Sequence, residues 1–332
     1  MPIAPIAVTM GEPAGIGGEL TLAAWRDRRS DVPFFAIDDP ERLRGLADLL
    51  DWPVPITEIA DPADAPKCFA DGLPVLPERL RVAARPGQPD PANAPAVLGA
   101  IATAVRLVQS GRAGAVVTNP IHKAVLKAAG FTHPGHTEYL ADLAGVPGQS
   151  VMMLACPQLR VVPVTIHLSL AEAVRALTTD LIVSTGRTTA RSLRDLYRVA
   201  EPRLAVAALN PHAGESGVMG REEIDVIAPA VAALRADGIM VTGPAPADTL
   251  FHEGARATYD AVLCMYHDQA LIPLKTIDFA GGVNVTLGLP FVRTSPDHGT
   301  AFDIAGRGIA DDTSFRAALA LAGDLAAKRA AA

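Results

Sequence analysis

The chain has 332 residues, 49% of them hydrophobic and only 5% aromatic, and a formal net charge of −7. That length supports a large core built from Ala, Val, Leu and Ile and favours two domains over one. The acidic balance excludes a protein built to bind nucleic-acid backbones or an anionic membrane surface, both of which need a basic face, so an anionic small molecule must be met by local positive charge.

In chain order, PIAVTM reads as a first strand, followed by the glycine-rich Met10-Gly-Glu-Pro-Ala-Gly-Ile-Gly-Gly18 and a helix over ELTLAAWRDR. The glycines permit a tight turn and close approach of backbone N–H groups to a ligand, but the spacing is not GxGxxG, and the segment reads first as a strand-to-helix turn. PFFAI and PERLRGLADLL repeat the strand-helix order. The proline-rich stretch from Pro53 to Pro91 reads as loops and short strands, and Ala92 to Ser110 as a long helix with Asn93 as its candidate cap. GAVVTNP and HKAVLKAAG give the next pair.

The blocks Thr118-Asn-Pro-Ile-His-Lys123 and Thr132-His-Pro-Gly-His-Thr-Glu138 are dense in reactive side chains. His133, His136 and Thr137 fall in a loop before the helical YLADLAG, where hydroxyl, imidazole and helix-end donors suit an oxyanion. A purely structural role, Thr137 as a cap with Glu138 in the first turn, explains the same residues. VVPVTIH and SLAEAVRAL continue the alternation, Thr178 to Tyr197 and Ile224 to Asp237 read as helices, and the alanine-rich tail from Ala317 reads as a closing helix. This order predicts βαβ units and a mostly parallel sheet covered on both faces.

Three apolar runs each end on a histidine: RVVPVTIH at His167, RLAVAALNPH at His212 and YDAVLCMYH at His267. Ligands of open α/β sheets gather at the carboxyl ends of strands, so the three imidazoles are candidates to converge on one divalent ion with a position left open for a substrate oxygen. Asp268 and Gln269, which follow His267, are of the types that fix a ligand's tautomer. Singly, each histidine reads more simply as a hydrogen-bonded residue at a strand end. Farther on, Asp248, Lys275, Asn284 and Arg293 form a polar series in which the two cations, flanked by ALIPLKTI and GLPFVRTS, suit a carboxylate or phosphate. The turn-rich segment from Thr294 to Gly306 contains His298, Gly299, Thr300 and Ala301, a loop able to offer backbone amides to an adenosine or simply to connect two elements. Cys68, Cys156 and Cys264 are odd in number and widely spaced, which indicates buried thiols in a reducing compartment. The start MPIAPIAVTMGEPAG lacks a basic region followed by a long apolar stretch, and no run reaches about 18 uninterrupted apolar residues, so cytoplasmic residence is expected.

GEPAGIG, TNPIHK, GHTEYLA, NPHAGESGVMGREE, GPAPADTLF, YHDQALIPLK and GVNVTLGLPFVRTSPDHGTA, in this order over nearly the whole chain, closely resemble the 4-hydroxythreonine-4-phosphate dehydrogenase family of the pyridoxal 5′-phosphate pathway. The resemblance implies an α/β, two-domain fold similar to the isocitrate and isopropylmalate dehydrogenases with a cleft between the domains, one comprising 1–125 plus 285–332 on the nucleotide side and the other 126–284 for metal, substrate and dimerisation. It also implies a homodimer whose active site uses both subunits. It assigns His167, His212 and His267 to one divalent metal per subunit (zinc, magnesium or cobalt); His136, Thr137, Lys275, Asn284 and Arg293 to a small phosphorylated hydroxy-acid substrate; and His298, Gly299, Thr300 and Ala301 to NAD or NADP. Lys275 and Asp248 are the candidates for proton transfer.

The implied reaction is oxidation of 4-hydroxythreonine 4-phosphate followed by loss of carbon dioxide to give 3-amino-2-oxopropyl phosphate. Two departures from the family's motifs stand out: Ser216 where many relatives carry glycine, and LKTIDFAGGVN around Lys275. Paralogues that act on phosphorylated threonate or erythronate, or on dihydrodiol carboxylates, keep the same histidines. Two further classes remain open on the residues alone, a metal-dependent sugar-phosphate aldolase or hydrolase and a non-catalytic metabolite-binding protein.

Overall fold

A computed structural model describes residues 3–27 and 32–331. Its strands are β1 (Ile6–Thr9), β2 (Phe34–Asp38), β3 (Ile56–Glu58), β4 (Leu73–Pro77), β5 (Val116–Thr118), β6 (Val151–Cys156), β7 (Leu159–Pro163), β8 (Arg203–Ala207), β9 (Met240–Ala245), β10 (Ala261–Cys264), β11 (Val283–Leu287) and β12 (Arg293–Pro296). The helices are α1 (Gly17–Arg26), α2 (Pro40–Leu49), α3 (Ala65–Cys68), α4 (Ala94–Gln109), α5 (Lys123–Ala128), α6 (His136–Leu143), α7 (Leu170–Ala176), α8 (Thr179–Asp195), α9 (Ala228–Ala236), α10 (Glu253–Arg256), α11 (His267–Ile277) and α12 (Thr313–Ala330). The chain divides into two compact units, Met1–Gly148 with Leu289–Ala332, and Gln149–Gly288.

In the first unit the strand order is β3-β4-β2-β1-β5-β12 and every pairing is parallel. Its central strands are buried on both faces, which is why IAVT and FFAID read as continuous apolar runs rather than alternating ones. Helix α4 packs Val97, Ala100, Ile101 and Ala104 into a core shared with Phe35, Ile37 and Phe291. The segment 91–109 is long and apolar enough by composition to cross a membrane, but half of it is buried inside the unit.

The second unit has the order β11-β6-β7-β10-β8-β9, antiparallel at β11-β6-β7 and parallel from β7 onward. Its helix starts are locally encoded: Ser169 and Glu172 close a capping box on α7, and the Thr178 side chain accepts from Leu181 N–H at the start of α8. Cys156 and Cys264 are buried in β6 and β10, and all three cysteines are free.

Several expectations need correction. Asn93 stands at the N-terminal boundary of α4 but does not cap it; its side chain instead accepts from Arg81 and Val82 N–H and donates to the Val82 carbonyl, clasping an earlier loop. His136 and Thr137 are not in a loop but form the first turn of α6, whose cap position is Gly135. The strands preceding the three histidines stop short of them, at Pro163, Ala207 and Cys264.

Candidate active site

β10 lies between β7 and β8 and is parallel to both, so the segments carrying His167, His267 and His212 leave one sheet side by side at its carboxyl edge. Buried side chains stitch these exits together. Thr165 Oγ1 donates to the Met265 carbonyl at 2.8 Å, while Gln269 accepts from Met265 N–H at 2.6 Å and donates to the Ala208 carbonyl at 2.7 Å. Gln269 therefore serves the backbone, whereas Asp268 meets the imidazole: its Oδ1 lies 2.8 Å from His267 Nδ1. With the proton on Nδ1, Nε2 is left as the electron-pair donor.

The rings of His167 and His267 stand 6.0 Å apart, and both residues line a pocket of about 260 Å³ together with Thr165, Tyr266 and Asp268. His212 is not brought into a set with them: among the described residues no three His, Cys, Asp or Glu side chains are placed to hold a metal. His167 and His212 are exposed and His267 is half-buried.

The backbone at these positions is unusual. His167 has φ 53°, and from His212 to Ser216 five consecutive residues have positive φ, including His212 at 51°, Ala213 at 54° and Ser216 at 57°. Non-glycine residues held this way cost about 1 to 3 kcal/mol each, and such strain collects at functional sites. Ser216 thus occupies a conformation that glycine adopts freely. Glu223, 4% exposed, holds the turn by accepting from the N–H groups of Leu209 and Asn210 and from Asn210 Nδ2. Its role was not visible in the sequence, where it falls within the NPHAGESGVMGREE motif just before the helix read from Ile224. Replacing Glu223 by alanine is expected to leave the sheet in place and to loosen the turn from Leu209 to Ser216 that its carboxylate holds; faster amide hydrogen exchange at Leu209 and Asn210 in the purified variant checks this.

Of the remaining predicted residues in this unit, Lys275 is half-buried in the last turn of α11 with Nζ 5.1 Å from the Phe279 ring. Asn284 in β11 keeps Oδ1 shut from solvent and without a partner. Asp248 is exposed on a short turn, Ala247–Thr249.

In the first unit, Arg293 opens β12 and is 4% exposed, with Nε 3.2 Å from Thr118 Oγ1 at the end of β5. Burial lowers its pKa to about 10, so the guanidinium remains charged at neutral pH. His136 Nε2 is shut from solvent with no partner, and desolvation, then the charges of Arg293 and Lys123, hold the imidazole well below its ordinary pKa of 6.5. A folded state that refuses this proton is penalised once the unfolded chain can take it up. The stability contributed by His136 is therefore complete above about pH 6.5 and is lost progressively as pH falls below that value. The His136→Gln variant should show a shallower acid limb in urea unfolding between neutral and mildly acidic pH.

The loop His298, Gly299, Thr300 and Ala301 packs against the GEPAGIG turn, where Ile16 N–H donates to the Thr300 carbonyl and a side chain on Gly15 would meet that oxygen at 2.9 Å. His298 Nδ1 lies 3.0 Å from the Gly299 carbonyl, and Ala301 has φ 43°. Buried Glu19 of α1 accepts from Gly306 and Gly308 N–H and pins the following turn. Beside this cluster is a pocket of about 520 Å³ lined by Pro13, Gly15, Asp39, Arg42, Val82, Pro86 and Gly306 among others.

Residues 31–322 match the family model of the pyridoxal phosphate biosynthetic protein PdxA. The chain belongs to the PdxA family. A 4-hydroxythreonine-4-phosphate dehydrogenase of Methylorubrum populi is 57% identical over 330 residues, covering 97% of this chain and 94% of the relative. The crystal structure of a 4-hydroxythreonine-4-phosphate dehydrogenase from Klebsiella pneumoniae matches with a TM-score of 0.89 at 40% identity, covering 97% of this chain and 99% of that one. A terephthalate 1,2-cis-dihydrodiol dehydrogenase from Burkholderia xenovorans is more distant, at a TM-score of 0.66 and 27% identity over 97% and 98% of the two chains. The α/β architecture and the resemblance read from the motifs are thus those of the PdxA family.

Proposed function

We propose that this chain is an NAD(P)-dependent dehydrogenase of pyridoxal 5′-phosphate biosynthesis that oxidises 4-hydroxythreonine 4-phosphate. The observation that carries this reading is the near full-length identity of 57% to a relative of that name, against 27% to the dihydrodiol enzyme. In the reaction the secondary alcohol loses hydride to NAD(P)⁺ and a proton to a base; the β-keto acid then loses carbon dioxide, and its carbon takes a proton to give 3-amino-2-oxopropyl phosphate. A divalent ion at the histidines (zinc, magnesium or cobalt) would supply Lewis acidity at the substrate oxygen when bound. The imidazole donors suit such an ion, and the strained backbone of His167 and His212 supports a site of this kind.

His136, Thr137, Lys275, Asn284 and Arg293 bind the substrate in this reading. Lys275, half-buried on α11, and Asp248, exposed on the Ala247–Thr249 turn, are the two candidates for proton transfer. The 298–301 loop and the neighbouring pocket receive the nucleotide, for which a concave, largely apolar wall with a few polar groups is suited.

The assembly is a cytoplasmic homodimer with a shared active site. Exposed His167 and His212 sit beside exposed Leu168, Leu170, Val218 and Met219, apolar surface that a second copy would cover while completing the ligand set. Mixing two inactive variants, one altered at His212 and one at Arg293, should restore part of the activity; a fully active monomer contradicts the dimer. The substrate assignment is checked by following reduced-nicotinamide absorbance with the amino substrate, its threonate counterpart and a dihydrodiol carboxylate, each with NAD and NADP. The amino substrate should give the highest kcat/KM, and a clear preference for either of the others would overturn the assignment.

A further inference from the structure

Lys123 opens α5, where a cation faces the positive end of the helix dipole rather than the negative one. It is exposed and makes no hydrogen bond or ion pair among the described residues. Its charge bears on His136, as does that of buried Arg293, so two cations crowd one imidazole. A side chain built on Gly135 would meet Lys123 Nζ at 3.3 Å and Glu138 Oε2 at 2.8 Å, which places the ammonium beside the start of α6. That eight-residue helix has no side-chain cap, so its first N–H groups are not met by one. His136 Nε2, within its first turn, is shut from solvent and unpartnered.

These elements form a set of unfavourable placements that a single ligand would relieve. Lys123 and Arg293, set against the one carboxylate of Glu138, leave net positive charge beside an uncapped helix start and an unpartnered ring nitrogen, which suits an oxyanion with several acceptor oxygens such as a phosphomonoester. We propose that Lys123 is a substrate-binding cation that, with Arg293 and the start of α6, makes this place a phosphomonoester subsite. The inference rests on the functional reading above, to which it adds a residue and the identity of the group bound.

The test uses inorganic phosphate as probe, measured as a competitive inhibitor and by direct calorimetric titration of the full chain. The Lys123→Met variant should raise both the phosphate inhibition constant and the KM for the phosphorylated substrate by at least about tenfold, with kcat changed by less than about threefold. Lys123→Arg should restore most of the loss, and Lys127→Met, an exposed change on the same helix, should behave as wild type. NMR titration should place the His136 imidazole higher in Lys123→Met than in wild type, a shift that local unfolding confined to α5 would not produce while phosphate affinity is rescued by arginine. Wild-type turnover with unchanged phosphate affinity in Lys123→Met overturns the subsite and spares the functional reading. Phosphate binding that depends on Lys123 in a protein that oxidises none of the substrates does the reverse.

Discussion

Replacing His267 by alanine is expected to abolish binding of the proposed divalent ion and to lower kcat/KM by at least about a thousandfold, with the fold retained. The residue is half-buried at the first position of α11, and it is absent from the apolar core formed by Leu154, Val161, Ala205, Val262 and Ala270, so its loss opens no core cavity. What it loses is one imidazole held at Nδ1 by Asp268 and standing beside His167. Asp268→Ala should fall between the variant and wild type, at about 10- to 100-fold weaker metal binding, because it removes the orienting group and not the donor. Metal content by elemental analysis, with far-UV circular dichroism as the check on folding, measures both. Stoichiometric metal in a variant lacking all three histidines would rule the site out.

The second large effect is expected at Arg293. Truncation of a buried cation that pairs with a ligand anion costs about 3 kcal/mol, or roughly a hundredfold in kcat/KM, and Arg293→Ala should lose that much with the phosphorylated substrate. Lysine should not rescue it, because the Thr118 contact uses the planar fork of the guanidinium. Stability should move the other way or not at all. Burial alone depresses the Arg293 pKa to about 10, so the fold bears a cost for keeping the charge, and Arg293→Met should unfold at an unchanged or higher temperature. Loss of both activity and stability would instead mark Arg293 as a structural residue.

Much of this architecture is legible in the sequence because local signals agree with the fold. ELTLAAWRDR carries the apolar residues that α1 buries, and Thr178 is followed by a helix that it caps. The ends of the strands are not legible. Beyond Pro163 the chain remains apolar, and Val164 and Thr165 still donate to the Cys264 and Met265 carbonyls, so composition gives no sign of where β7 stops short of His167.

Chain order also conceals which histidines meet. His167 neighbours His267 because β10 inserts between β7 and β8, a matter of sheet order rather than spacing. The left-handed backbone from His212 to Ser216 escapes notice because only Gly214 in that stretch favours it, and what holds it, the buried carboxylate of Glu223, looks like an ordinary surface acid in a one-dimensional reading. Asn93 shows the same limit in reverse: a residue type that caps helices was turned aside by a loop that offered it three hydrogen bonds.

In the proposed function the chain performs an oxidative decarboxylation rather than a cleavage or hydrolysis of a phosphorylated substrate. The most direct measurement follows a single turnover with excess enzyme on 4-hydroxythreonine 4-phosphate, counting reduced nicotinamide and released carbon dioxide together. One equivalent of each per substrate consumed, with no inorganic phosphate released, is the expected result. Consumption of the substrate without reduced nicotinamide, or with aldehyde or free phosphate as product, would contradict it.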